Sequence, residues 1–70
     1  MTNVNLESMK HHSMLLTTEY GIPYDDSWTL IESICNDNGL DMQYNTNIIW
    51  ATLQAENQLR KEYGRPYYWK

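Results

Sequence analysis

The main absence in this 70-residue chain is positive charge. No lysine or arginine lies between Lys10 and Arg60, although the same interval contains seven acidic residues. These acids are Glu19, Asp25, Asp26, Glu32, Asp37, Asp41 and Glu56. Proteins bind duplex nucleic acids largely through several lysines or arginines on the phosphates. The absence of lysine and arginine from this interval therefore argues against duplex DNA as a partner. It predicts an acidic surface that attracts basic partners.

Other absences narrow the class of protein. The single Cys35 cannot form an internal disulfide, and no apolar run approaches the roughly 20 residues of a membrane span. The first residues, Met-Thr-Asn-Val-Asn, do not form the apolar segment typical of a signal peptide. We therefore expect a small cytoplasmic domain without membrane contact.

The remaining pattern predicts three helices, of which the first covers residues 6–20. Asn5 is a suitable N-cap, Gly21 is placed to end the helix, and Pro23 prevents its continuation. The apolar stripe of this helix comprises Leu6, Met9, Leu16 and Tyr20, with Ser13 in its missing place.

The second helix is predicted over residues 26–38, with Asp25 or Asp26 as its cap and Asn38-Gly39 at its end. Its predicted apolar face comprises Trp28, Ile31, Ile34 and Cys35, and Glu32 lies on the opposite side.

The third helix is predicted over residues 46–63, after Asn45. Its core face comprises Ile48, Thr52, Ala55, Leu59 and Tyr63. Trp50 points away from that face, close to Leu53. Residues 64–70 form an aromatic, basic C-terminal tail. The sequence thus predicts an all-α, three-helix domain.

Catalytic and metal chemistry lack a recognisable pattern. Glu7 and His11 are spaced to share a metal, but no third ligand is indicated. Cys35 falls on an apolar stripe, and its acidic surroundings would raise the pKa of its thiol. Asp25 and Asp26 are adjacent at a helix start, where no pocket is indicated. We expect no enzyme activity, no cofactor and no metal.

Protein binding is the function that this pattern favours. An acidic surface can occupy a basic groove that normally holds nucleic acid, so an inhibitor or modulator of a nucleic-acid-handling protein is our first hypothesis. The faces of helices one and two would supply the charge, through Asp25, Asp26, Glu32, Asp37 and Asp41. The small size and the Asn- and Tyr-rich composition are common among phage proteins.

Two alternatives use aromatic residues. Trp50 and Leu53, together with the tail, have the composition of a self-associating or scaffold-binding surface. Self-association would make the protein a homo-oligomer. The tail also combines aromatic rings with positive charge, a pattern typical of proteins that bind single-stranded nucleic acid. The residues concerned are Arg65, Tyr67, Tyr68 and Trp69. A charge of −7 over residues 1–56, from eight acids and Lys10, opposes the second alternative. A tail folded back over the core is favoured instead.

Overall fold

The computed structural model describes residues 4–64, which form three α-helices and no strand. Helix α1 is Leu6–Tyr20, α2 is Tyr24–Asp37 and α3 is Asn45–Tyr63. The predicted all-α, three-helix fold is confirmed. The predictions for Arg65, Tyr67, Tyr68 and Trp69 lie outside the described residues.

Both ends of α1 follow the local signals in the sequence. The backbone N–H of Ser8 donates to Asn5 Oδ1 at 3.1 Å, so Asn5 is the N-cap. Gly21 has a φ of 68°, and its N–H donates to the carbonyl of Thr17 at 2.9 Å. This left-handed cap satisfies a carbonyl at the end of the helix, as glycine there does readily.

The other two helices begin two residues and one residue earlier than predicted, and neither Asp25 nor Asp26 is the N-cap of the second helix. Helix α2 begins at Tyr24 with Pro23 at the N-cap, so Asp25 and Asp26 lie in its first turn instead of capping it. Helix α3 begins at Asn45, with Tyr44 at the N-cap. The side-chain oxygen of Asn45 accepts a hydrogen bond from the Ser8 hydroxyl on α1, so it joins α3 to α1 and does not cap α3.

The helices run up, down and up. At one end of the bundle the hydroxyls of Thr17 and Ser27 lie 2.9 Å apart, which joins the last turns of α1 to the start of α2. The hydrogen bond between Ser8 and Asn45 joins the start of α1 to the start of α3. Helices α1 and α3 are therefore parallel, and α2 is antiparallel to both.

A single group of buried side chains joins the three helices. It comprises Met9, Leu16, Tyr20, Ile31, Ile34, Cys35, Ile48, Ala51, Ala55 and Leu59. Two residues predicted on the core faces are exposed: Leu6 at 55% and Tyr63 at 58%. Each is the terminal residue of its helix, where fewer neighbouring turns are available to cover a side chain.

Candidate functional site

The outward side of α2 carries four carboxylates. Asp25 and Asp26 are exposed in the first turn, Glu32 is half-buried, and Asp37 is exposed at the last residue. The buried residues of the helix are Ser27, Ile31, Ile34 and Cys35. We call Asp25, Asp26, Glu32 and Asp37 the acidic face.

The charge density of the acidic face approaches that of a nucleic-acid strand. Residues 25 to 37 span about 18 Å at 1.5 Å per residue. One strand of B-DNA carries a phosphate every ~3.4 Å of axis, or about five in this length. The acidic face has four carboxylates there, and the side chains between them on the same side are Thr29, Ser33 and Asn36, which are uncharged.

Asp41 belongs to the connection between α2 and α3. Its carboxylate accepts the backbone N–H of Gln43 at 3.0 Å, and its carbonyl accepts Asn47 Nδ2–H at 2.9 Å. Asp41 is half-buried, and these bonds fix it at the N-terminal end of α3. It therefore adds charge within the connection after α2 and also shapes that connection.

Helix α1 does not contribute the acidic surface that the sequence predicts. Glu19, near the end of α1, is only 3% exposed. It packs toward α3, where Glu56 and Arg60 lie close enough to influence its ionisation. The only other acid of α1 is Glu7, in its first turn. The acidic face consequently belongs to α2 alone.

The inward position of Glu19 changes its protonation. Burial, together with the charge of Glu56 and a hydrogen bond between the two carboxyl groups, raises the pKa of Glu19 from 4.5 to about 7. The Arg60 guanidinium opposes this shift but does not cancel it. At neutral pH the Glu19 carboxyl therefore holds a proton much of the time.

Tyr20 completes this cluster of Glu19, Glu56 and Arg60. Its hydroxyl donates to the carbonyl of Glu56 at 3.5 Å, and it also hydrogen-bonds Arg60. Burial raises the pKa of the Tyr20 phenol. The contact between the C-terminal half of α1 and α3 is thus polar and titratable.

Spacing along α1 offers a sequence signal for this buried acid. Ser8, His12 and Glu19 are separated by four and seven residues, so they share one side of the helix. Ser8 at the start of this line contacts α3 through Asn45. A polar line next to the apolar stripe is the feature that identifies the side facing α3.

Trp50 and Leu53 lie on the outward side of α3, as predicted. Trp50 is 41% exposed and Leu53 is 53% exposed, and Ile49 beside them is also exposed. Trp50 lines a shallow concavity with Asn38, Leu40 and Asn47, where the end of α2 meets α3. These exposed apolar side chains form a second surface, separate from the acidic face.

Ser8 and His12 lie close together, but the geometry does not make Ser8 a nucleophile. His12 Nδ1 is 2.8 Å from the carbonyl oxygen of Ser8, which can only accept, so this nitrogen carries the proton. It therefore has no lone pair for the Ser8 hydroxyl at 3.2 Å. That hydroxyl donates to Asn45 instead and serves as a tie between α1 and α3.

Cys35 is fully buried in the core, in agreement with the prediction. Burial raises the pKa of its thiol, so the cause is desolvation and not the acidic surroundings inferred from the sequence. A buried thiol of this kind packs as a small apolar side chain.

No group of three or more histidine, cysteine, aspartate or glutamate side chains in residues 4–64 is arranged to hold a metal ion. Within the same residues, no helix combines the length and the apolar character needed to cross a membrane. Glu7 and His11 both line an open concavity with Asn5, Ser8 and Asn45.

The chain matches no protein-family model, no curated protein and no solved structure.

Proposed function

We propose that this protein is a non-enzymatic, cytoplasmic binding module whose acidic face docks on a basic groove of a nucleic-acid-handling protein, as an inhibitor or modulator. The observation that carries the proposal is the acidic face itself. Three of its four carboxylates are exposed, and no cation lies anywhere on α2.

Charge and shape both support docking of the acidic face on a basic groove. A rigid helix holds the carboxylates at fixed spacing, so little ordering is needed when they meet a row of basic side chains. Electrostatic steering accelerates such encounters and weakens as salt screens the charges. Because Glu19 is buried, α1 offers no comparable row of carboxylates, and the proposed docking surface is confined to α2.

The test is capture of partners from an extract of the host cell on the immobilised protein. We expect nucleic-acid-handling proteins to be retained at low salt and released between about 50 and 200 mM salt, the range in which phosphate-like contacts weaken. Added duplex DNA should displace them, because it competes for the same groove.

Matched variants separate the acidic face from overall charge. D25N/E32Q removes two charges from the face, whereas E7Q/E62Q removes two exposed charges elsewhere. We expect retention to drop with the first pair, to persist with the second, and to be abolished by D25N/D26N/E32Q. Equal behaviour of the two pairs, or salt-insensitive retention, would contradict the proposal.

A second candidate function is self-association. The exposure of Trp50 and Leu53 supports it, because an exposed tryptophan beside an aliphatic residue is the composition of an interface centre. This candidate uses α3 and leaves the acidic face of α2 free, so both functions are compatible in one molecule.

A further inference from the structure

We propose that the concavity between the end of α2 and α3 binds the guanidinium of an arginine from the basic partner, stacked on the ring of Trp50. We call this concavity the arginine site, and its lining residues are Asn38, Leu40, Asn47 and Trp50. The inference rests on the first proposed function, docking of the acidic face on a basic groove. It adds the kind of side chain that this groove supplies at one position.

The two asparagines of the arginine site offer oxygen atoms to a ligand. Asn38 Nδ2–H donates to the carbonyl of Ile34 at 2.8 Å, and Asn47 Nδ2–H donates to the carbonyl of Asp41 at 2.9 Å. A carbonyl only accepts, so the amide nitrogen is the atom that faces it in both cases. Each Oδ1 is left on the other branch of its amide and accepts no hydrogen bond from the residues that the structure describes. The site therefore has two held acceptors and suits a ligand that donates.

Trp50 gives the site a flat aromatic wall. It is 41% exposed, and Leu40 beside it is half-buried against the core. A guanidinium is planar and weakly hydrated, so it stacks on a tryptophan ring while its N–H groups remain free to donate. A lysine ammonium is compact, strongly hydrated and not planar. An aromatic wall with two acceptors therefore favours arginine over lysine.

The local charge also favours a cation in the arginine site. Helix α2 ends at Asp37, and Asn38 is its C-cap. The helix dipole makes this end negative, and the last turn of α2 has no basic residue to compensate it. Asp41, whose carbonyl holds Asn47, adds a carboxylate in the connection that follows.

The described part of the chain brings no cation of its own to the site. Lys10 lines a different concavity on α1, together with Met14. Arg60 lies 13 residues after Asn47, which is about 20 Å further along α3, and Lys61 follows it. A side chain of the partner is therefore the source of the cation.

The arginine site gives the proposed docking a selectivity that the acidic face lacks. Carboxylates on a helix attract any row of cations, and electrostatic attraction of this kind mainly accelerates the encounter. Asn38 follows directly after Asp37, the last carboxylate of the acidic face. A basic partner that extends along α2 past Asp37 places one further side chain at the site. The site distinguishes partners by whether that side chain is arginine or lysine.

Two synthetic peptides of equal length and charge provide the test. One has four arginines alternating with glycine, and the other has lysines in the same places. Binding is followed by NMR through the indole N–H signal of Trp50, which is identified by its loss in W50L. We expect the arginine peptide to bind more tightly and to shift this signal together with the side-chain amide signals of Asn38 and Asn47. Equal affinities of the two peptides, or amide signals that do not move, would overturn the proposal.

Variants of Trp50 separate the arginine site from the carboxylates, which themselves pair better with arginine than with lysine. W50L keeps an apolar side chain but removes the ring. We expect it to weaken binding of the arginine peptide about 2- to 5-fold and to leave binding of the lysine peptide nearly unchanged. W50F keeps a ring and should retain part of the preference. A W50L variant with the wild-type preference for arginine would overturn the proposal.

Tyr63 supplies the matched control for the loss of a ring. It is 58% exposed at the last residue of α3, outside the arginine site. Y63L should therefore bind both peptides like the wild type. Trp50 is also well exposed, so circular dichroism should show the same helix content in W50L, W50F and Y63L.

The two proposals fail separately. D25N/D26N/E32Q should weaken binding of both peptides and leave their ratio unchanged, whereas W50L should change the ratio. A preference for arginine that persists without any salt-sensitive protein partner would contradict the first proposed function alone. Single-stranded nucleic acid is the other class of ligand that stacks on tryptophan. A short oligothymidylate that shifts the Trp50 indole signal at concentrations where the arginine peptide does not would overturn the arginine site.

Discussion

At the scale of single residues, Ser13 is the least satisfied group in the core. It is fully buried on α1, and its hydroxyl has no hydrogen-bond partner among the residues that the structure describes. A buried, unpaired hydroxyl costs about 1–3 kcal/mol. The sequence already indicates its place, because Ser13 occupies the gap in the apolar stripe of α1.

We therefore predict that S13A stabilises the protein. Alanine fills nearly the same volume, removes the unpaired hydroxyl and has a higher helix propensity. Urea denaturation should show a free energy of unfolding that is about 1 kcal/mol higher.

Ser8 provides the matched control for Ser13. Its hydroxyl is also nearly buried on α1, but it donates to Asn45. S8A should lower the free energy of unfolding by about 1 kcal/mol, because the oxygen of Asn45 loses its donor. If S13A and S8A changed the free energy of unfolding equally, the presence or absence of a hydrogen-bond partner would not explain how each serine hydroxyl affects stability.

At the scale of helices, the contact between α1 and α3 makes stability depend on pH. The pKa of Glu19 is about 7 in the folded protein, above its ordinary value of 4.5. A raised carboxyl pKa means that the folded state binds the proton more tightly, so its contribution is complete below about pH 4.5 and is lost as pH rises through 7.

The size of this effect is measurable. The full rise in the pKa of Glu19 corresponds to about 3 kcal/mol in the free energy of unfolding. Screening by solvent in so small a domain reduces this to about 1–2 kcal/mol. Urea denaturation from pH 5 to 8 at constant ionic strength should show the free energy of unfolding falling by that amount. E19Q keeps a hydrogen-bonding group but cannot ionise, so most of this pH dependence should disappear.

A control and a second variant make the pH prediction specific. E7Q removes an exposed acid of α1 and should leave the pH profile unchanged. E56Q removes the charge that faces Glu19 and should shift the midpoint to lower pH, because one cause of the raised pKa is gone. A profile that is the same in wild type and E19Q would assign the pH dependence to another group.

The helices also show which features the sequence can predict. The ends of α1 depend on Asn5 and Gly21, whose effects are local, and both were predicted correctly. The expectation that helix one supplies acidic surface was wrong, because Glu19 is buried beside Glu56 and Arg60, which lie on another helix. The start of α3 was predicted one residue late, and the contact of Asn45 with Ser8 on α1 could not be predicted from α3 alone.

At the scale of the whole molecule, charge is distributed by helix. The acidic face occupies α2, residues 42–55 are uncharged, and Glu19 and Glu56 meet between α1 and α3. The cation-free interval in the sequence therefore gives rise to three different environments. The sequence predicts the sign of the field, whereas packing decides which acids reach solvent.

The positions of the carboxylates along α2 affect the stability of the protein. Asp25 lies near the N-terminus of α2, where the helix dipole favours a negative charge, and Asp37 is its last residue, where the dipole opposes one. No basic residue lies in the last turn of α2 to compensate Asp37. D37N should therefore raise the free energy of unfolding by about 0.3–1 kcal/mol, and D25N should lower it by a similar amount.

D37N and D25N should change stability in opposite directions but should both weaken binding to the basic partner. Each removes one charge from the acidic face, so both should weaken retention of the basic partner to a similar degree, measured by the salt concentration that releases it. A more stable D37N that binds less well would explain the unfavourable position of Asp37 by its role in recognition. A D37N variant that is both more stable and equally well bound would remove Asp37 from the binding surface and confine the acidic face to Asp25, Asp26 and Glu32.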